Sequence, residues 1–170
     1  MGYSPASLGV AAANNGKDVF CITGDGSFQF NVQELQTIAQ NNFPIKTVIL
    51  NNNGYLLIRL TQNNFQEGRF IGVDKDSGVS CPDMEKISYA YGIKFIRILG
   101  LDDLDAKLTE LIDYQGAVIC EVMTPPNQLL MPRVASKKLD GRMVSMPYDD
   151  MFPFLPREEY LENCVREKIV

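Results

Sequence analysis

The sequence has no histidine. That absence removes Ser-His-Asp and Cys-His nucleophile systems. It also makes zinc binding depend on a cysteine cluster, which the four scattered cysteines Cys21, Cys81, Cys120 and Cys164 do not form. Basic residues are in deficit, 16 Lys and Arg against 21 Asp and Glu, for a net charge of −5. A nucleic-acid backbone or an anionic membrane needs a basic surface, so neither is expected as the main partner, and any anion must be held locally. No basic-then-apolar leader and no long apolar run occur, so neither secretion nor membrane insertion is expected. Cys21 and Cys120 sit inside apolar runs as small core residues do, and the cysteines read as reduced, in a cytoplasmic protein. What these absences leave open is oxygen ligation of a hard cation.

What is present suffices for a core: 45% hydrophobic and 22% charged residues over 170 positions, as in one globular domain. Asp18-Val19-Phe20-Cys21-Ile22-Thr23 is a short β-rich run ended by Gly24-Asp25-Gly26, the pattern of a buried strand entering a tight turn. Asn31 and Glu34 have capping-box spacing, and Val32, Leu35, Ile38 and Ala39 then recur on one helical face until Asn41-Asn42 and Pro44. Ile45 to Leu50 predicts a second buried strand, closed by Asn51-Asn52-Asn53-Gly54. The alternation continues with a helix starting near Pro82, whose ring suits the first helical turn, and ending before Gly92, then a strand from Ile93 to Ile98. A helix from Leu101 to Tyr114 follows, with Leu104, Leu108, Leu111 and Ile112 on one side, and then a strand from Ala117 to Val122. The predicted fold class is α/β, an open and mostly parallel sheet with helices on both faces, over residues 1–124.

Beyond Thr124, prolines at 125, 126, 132, 147, 153 and 156 predict an irregular C-terminal arm, residues 125–170. Its Met143, Met146, Met151, Phe152, Phe154 and Leu155 are too apolar for a free tail, so the arm is expected to pack on this domain or a neighbour. A short helix around Glu158 to Val165 is expected to finish it.

Open parallel sheets bind ligands at the carboxyl ends of their strands. Here one end carries Gly24-Asp25-Gly26-Ser27 and the next carries Asn51-Asn52-Asn53-Gly54-Tyr55. Glycines beside Asp25 allow close backbone approach to a phosphate, while a carboxylate and an amide oxygen suit Mg²⁺. Asp-Gly and Asn-Gly are each common in turns and alone carry no functional weight. Their pairing on successive strand ends, separated by one helix, is what marks a nucleotide-like site. Other polar residues have plainer readings: Glu34 as a helix cap, Arg59, Gln62 and Arg69 as a solvated face, and Asp102, Asp103 and Asp105 as helix-start residues.

A Gly-Asp-Gly opening, a helix, an apolar strand and a closing Asn-Asn, with Asp25 and Asn52 27 positions apart, resemble the thiamine-diphosphate signature. The run Gly24-Asp25-Gly26-Ser27-Phe28-Gln29-Phe30-Asn31-Val32-Gln33-Glu34-Leu35 resembles the acetolactate synthase family, as does Met1-Gly2-Tyr3 followed by Pro5 and Gly9. The resemblance runs from residue 1 to about 124. It implies a thiamine-diphosphate-binding fold, with Asp25, the Asn52 side chain and the Gly54 carbonyl as Mg²⁺ ligands. Gly24, Gly26 and Ser27 would hold the diphosphate, Gly26 and Ser27 through their N–H groups. Tyr55 and Leu56 would lie beside the cofactor and Met1 beneath it.

By the same resemblance the enzyme decarboxylates pyruvate or a related 2-oxo acid and transfers the acyl carbanion to an acceptor. The activating glutamate lies on a pyrimidine-binding domain expected in another chain or in the full-length protein, within a homo-oligomer. The chain begins inside the family pattern, so it is expected to be a fragment, a split subunit or a frame begun at an internal methionine. Tryptophan, usual after this point in biosynthetic acetolactate synthases, is absent. Instead Ile58-Arg59-Leu60-Thr61-Gln62, Gly68-Arg69-Phe70, the stretch from Ser77 to Asp83 and the segment from Ser145 to Leu155 resemble relatives associated with nucleotide-sugar pathways. Two alternatives stand beside this reading: a noncatalytic cofactor-binding remnant or subunit, and a simple 2-oxo acid decarboxylase.

Overall fold

The computed structural model describes residues 2–128 and 130–164. They fall into two compact units, Met1–Gln128 and Leu129–Val170. In the first, four parallel strands form a sheet in the order β1 (Val19–Gly24), β2 (Ile45–Asn51), β4 (Val118–Met123) and β3 (Lys94–Ile98). The helices are α1 (Tyr3–Ala13), α2 (Asp25–Gln29), α3 (Glu34–Asn41), α4 (Leu56–Phe65), α5 (Met84–Ala90) and α6 (Leu104–Asp113).

Two apolar clusters show how the sheet is covered. On one face Cys21, Ile45, Ile49 and Ile119 pack with Ala11 of α1, Leu35 and Ile38 of α3 and Met84 of α5. On the other, Ile96, Ile98, Val118 and Cys120 pack with Leu111 of α6, flanked by Leu104 and Leu108. Residues two apart on a strand share a face, so each cluster draws on alternate positions of its strands. Ile112, one step further around α6, is exposed rather than packed with Leu104, Leu108 and Leu111.

The sheet carries helices on both faces, as expected, and one face is open at β1. Cys21 is buried while Phe20 and Ile22 are 51% and 61% exposed, and Leu50 of β2 is exposed beside them. The helix on that side, α6, packs against β3 and β4, whereas α1 packs on the other face of β1. At the opposite end of β2, Lys46 is fully buried and donates to the carbonyls of Tyr114 and Gly116, which ties the start of the strand to the loop after α6.

Two caps differ from expectation. Asn31 and Glu34 do not form a capping box: successive turns Asn31 N to Phe28 O, Glu34 N to Asn31 O and Leu35 N to Val32 O carry the chain from α2 into α3. The N–H groups a cap would serve already have partners, and Glu34 accepts from the Thr37 hydroxyl instead. At α5 the cap is Asp83, whose carboxylate accepts from Glu85 and Lys86 N–H, so Pro82 precedes the cap rather than opening the first turn.

The second unit is less irregular than the prolines predict. Strands β5 (Ser136–Leu139) and β6 (Arg142–Ser145) form an antiparallel hairpin turned by Asp140 and Gly141, at φ of 48° and 79°. Two successive left-handed residues, Asp then Gly, are the two-residue hairpin turn that matches strand twist. A helix, α7 (Arg157–Asn163), follows, and Arg157 donates to Asp150 across 2.7 Å. The expected end of that helix at Val165 lies outside the described residues.

Candidate functional site

Strand β1 delivers its last residue, Gly24, in extended conformation, and Asp25 begins α2 directly. Parallel pairing of Gly24 with Leu50 sets Asp25 beside the end of β2. There the chain turns sharply through Asn53 and Gly54, at φ of 60° and 151°. The Gly54 N–H donates to Asp25 Oδ2 at 2.8 Å and the Gly26 N–H donates to Asp25 Oδ1 at 2.8 Å. One carboxylate thus holds both strand-end turns together.

Asp25 is 2% exposed, and among the described residues no Lys or Arg pairs with it. Burial pushes its carboxyl above the ordinary value, with the Gly26 and Gly54 N–H bonds pulling the other way. A buried carboxylate whose only partners are dipoles lacks the counter-charge that usually accompanies burial. Cys81 stands beside it, accepting from Gln29 Nε2 at 3.0 Å. Burial foremost, and then the Asp25 charge, push its thiol up to about 11.

Both glycines of the turns are required by space. A Cβ on Gly26 would overlap the Tyr55 ring, and one on Gly54 would overlap the Val73 carbonyl oxygen. Val73, fully buried, accepts the Tyr55 N–H at 2.8 Å, so the segment after α4 is laid across the glycine turn. Arg59 secures that segment. Its guanidinium donates to Asp74 Oδ2 at 2.7 Å, to the Pro126 carbonyl at 2.7 Å and to Asn127 Oδ1 at 3.1 Å. Gln62 clamps Ile71 through both its N–H and its carbonyl, each at 3.0 Å. Arg59 and Gln62 are therefore tethers rather than a solvated face, because the loop that follows α4 folds back over it; Arg69, at 81% side-chain exposure, remains solvated.

Of the residues singled out in the sequence, Gly24, Asp25, Gly26 and Gly54 come together at one point. The Gly26 N–H is committed to Asp25, while Ser27 lies in α2, half-buried. Asn52, half-buried between β2 and the turn, makes no side-chain hydrogen bond among the described residues. Tyr55 covers Gly26, and Leu56 is buried at the start of α4. Met1 lies outside the described residues. Among the described residues no group of three His, Cys, Asp or Glu could hold a metal. A cation at Asp25 would need amide and carbonyl oxygens and oxygens of a bound ligand.

The sequence reading missed Asn51 and Glu121. Asn51 is buried, donates from Nδ2 to Glu121 Oε1 at 2.6 Å and accepts the Asn53 N–H on Oδ1 at 2.9 Å. Glu121 is buried in β4 and takes the Arg97 Nε–H on its other oxygen at 2.6 Å. A lone carboxylate within the apolar run Ala117-Val118-Ile119-Cys120-Glu121-Val122 was the available signal.

Fold and site together define a parallel α/β domain with a glycine-flanked, buried carboxylate at its strand ends. Residues 1–122 match the family described as thiamine pyrophosphate enzyme, C-terminal TPP binding domain, and the chain belongs to that family. It is 36% identical to the acetolactate synthase large subunit of Pyropia yezoensis over 147 residues, covering 86% of this chain and 25% of that protein. To acetolactate synthase 2, chloroplastic, of Nicotiana tabacum it is 31% identical, over 80% of this chain and 21% of that one. Among solved structures, the thiamine diphosphate-dependent 4-hydroxybenzoylformate decarboxylase of Rhodococcus jostii RHA1 matches with a TM-score of 0.63 and 25% identity, over 71% of this chain and 22% of that one. The chain thus spans about a quarter of the length of the relatives it matches.

Proposed function

We propose that this chain holds the diphosphate end of thiamine diphosphate through Mg²⁺, as one part of an acetolactate synthase-like enzyme acting on pyruvate or a related 2-oxo acid. The observation that carries this reading is the Asp25 carboxylate, buried, bonded to the N–H groups of two glycine turns and beside the Cys81 thiol, and, among the described residues, without a cationic side chain. Its donor chemistry fits the group. Mg²⁺ takes oxygen ligands, commonly one or two carboxylates together with phosphate oxygens, so a site with a single carboxylate suits a metal that arrives with its diphosphate. Asp25, the Asn52 side chain and the Gly54 carbonyl would ligate the cation, and Ser27 would donate its N–H to the diphosphate. Tyr55 and Leu56 would border the cofactor.

When bound, the cofactor supplies the electron sink for decarboxylating a 2-oxo acid. This chain's own residues bind and orient it: Asp25 fixes the cation, and the turn through Gly54 fixes the distance between the two strand ends. Activation of the cofactor falls to a carboxylate on a partner domain, in another chain or elsewhere in a longer protein, within a homo-oligomer. Calorimetry with thiamine diphosphate tests the reading. Binding that chelator abolishes and Asp25→Asn removes supports it; metal-independent binding of equal strength overturns the ligand assignment. The chain by itself is expected to consume no pyruvate, and turnover by a strictly monomeric species would place the activating group within these residues. A second reading, decarboxylation without transfer, is favoured by likeness to a protein named as a decarboxylase. Product analysis of the assembled enzyme separates them, an aldehyde against a carboligated acid.

A further inference from the structure

Four hydrogen bonds run across the whole sheet. Arg97 of β3 donates from Nε to Glu121 Oε2 at 2.6 Å, and Asn51 of β2 donates from Nδ2 to Glu121 Oε1 at 2.6 Å. Asn53 N–H donates to Asn51 Oδ1 at 2.9 Å, and the next residue, Gly54, donates to Asp25 Oδ2 at 2.8 Å. The order of donors and acceptors is forced. An ionised carboxylate only accepts, so Glu121 must receive the NH₂ group of Asn51, and the amide oxygen is then left for Asn53 N–H. Reversing the amide would set oxygen against carboxylate and NH₂ against N–H, losing both bonds.

We propose that Glu121, braced by Arg97, is a positioning residue for the metal-binding turn: by orienting the Asn51 amide it fixes the Asn53 N–H, and with it the left-handed Asn53–Gly54 segment that faces Asp25. This inference rests on the reading of Asp25 and the Asn52–Gly54 turn as the cation site. Asparagine enters left-handed backbone more readily than most residues with a side chain, but the conformation still costs energy that surrounding bonds offset. A buried, charge-assisted bond supplies such a hold. Arg97 also faces Glu85 at 3.2 Å and Asp83 at 3.9 Å, so three carboxylates surround its charge. Arg97 is therefore a brace for Glu121 rather than a receptor for an anion, although it lines a cleft of about 390 Å³ with Asn51, Asn53 and Glu121.

A polarity swap tests the proposal in the full 170-residue chain. Asn51→Asp sets two carboxylates against each other and removes the donor. Adding Glu121→Gln restores an unbroken chain with its middle bond reversed: Arg97 donates to the Gln oxygen, the Gln NH₂ donates to Asp, and the other Asp oxygen accepts Asn53 N–H. Removing groups that orient metal ligands typically costs 10–100-fold in affinity. Mg²⁺-dependent thiamine diphosphate affinity is therefore expected to fall at least about tenfold in Asn51→Asp and to return to within about threefold of the parent in the double variant. The second readout uses no cofactor: amide exchange at Asn53 and Gly54, accelerated in Asn51→Asp and restored in the double variant, with the melting profile of each variant recorded alongside. Exchange at the parent rate in a folded Asn51→Asp chain, or a folded double variant that recovers neither exchange protection nor affinity, overturns the positioning role. Should Asn51→Asp fail to fold, Glu121→Gln alone carries the test, with faster exchange expected and an unchanged rate overturning the role. A parent chain with normal exchange protection that binds no Mg²⁺-thiamine diphosphate overturns the cation-site reading instead, and the inference with it.

Discussion

The Gly54 N–H donates to Asp25 Oδ2 across 2.8 Å, joining two strand ends that lie 29 residues apart in sequence. A buried carboxylate carrying no counter-charge works against stability until a cation arrives. Folding raises the Asp25 carboxyl above its ordinary 3.8, so its contribution to stability is fully present below 3.8 and is lost as pH rises through the folded value. Asn at this position has one acceptor oxygen and must turn its NH₂ toward the Gly26 or Gly54 N–H, so Asp25→Asn is expected to melt below the parent chain, and in chelator the gap is expected to narrow as pH rises from about 3.8. Melting curves across pH check this. Addition of Mg²⁺ with thiamine diphosphate is expected to widen the gap, because only the parent binds them.

Gly54→Ala is expected to destabilise the chain by on the order of 3 kcal/mol, from a strained positive φ together with overpacking. Its methyl group would overlap the Val73 carbonyl, which is main chain and cannot swing away. Urea unfolding gives the measurement. A loss below about 1 kcal/mol would mean that the segment over the turn is loosely held.

Arg59→Ala removes the bonds from α4 to Asp74, Pro126 and Asn127. Faster proteolytic cutting within residues 66–80 is expected, with little change in cutting elsewhere in Met1–Gln128. Mass spectrometry of timed digests reads this out; an unchanged cutting pattern would show that Gln62 and the buried Val73 hold the segment without it.

The open face of β1 predicts a contrast between neighbouring strands. Ile22 is 61% exposed and Ile49 fully buried. Ile22→Ala is expected to change stability by within about 0.5 kcal/mol, and Ile49→Ala to cost about 2–5 kcal/mol. Comparable losses in thermal unfolding would mean that Ile22 is covered in solution, most simply by association of the chain.

The sequence by itself determined the succession of strands and helices and the polar turns at two strand ends. Those signals are local. A short apolar run ending in Gly24-Asp25-Gly26, or in Asn51-Asn52-Asn53-Gly54, signals a strand end within a few residues, and at the second the left-handed turn falls on Asn53 and Gly54, of the residue types that enter that backbone most readily. The Asp140-Gly141 hairpin was equally local, yet the surrounding prolines outweighed it in the reading. Tertiary structure decided what lies beyond that range. It replaced the Asn31–Glu34 cap with continuous turns, left Phe20 and Ile22 uncovered, and turned Arg59 from a surface residue into a tether. Only the parallel register of β3, β4 and β2 brought Arg97, Glu121 and Asn51 into one line aimed at Asp25. A hydrogen bond between residues 70 apart leaves no periodicity in the sequence; it exists because the buried Glu121 must find donors, and the sheet supplies them from both neighbouring strands.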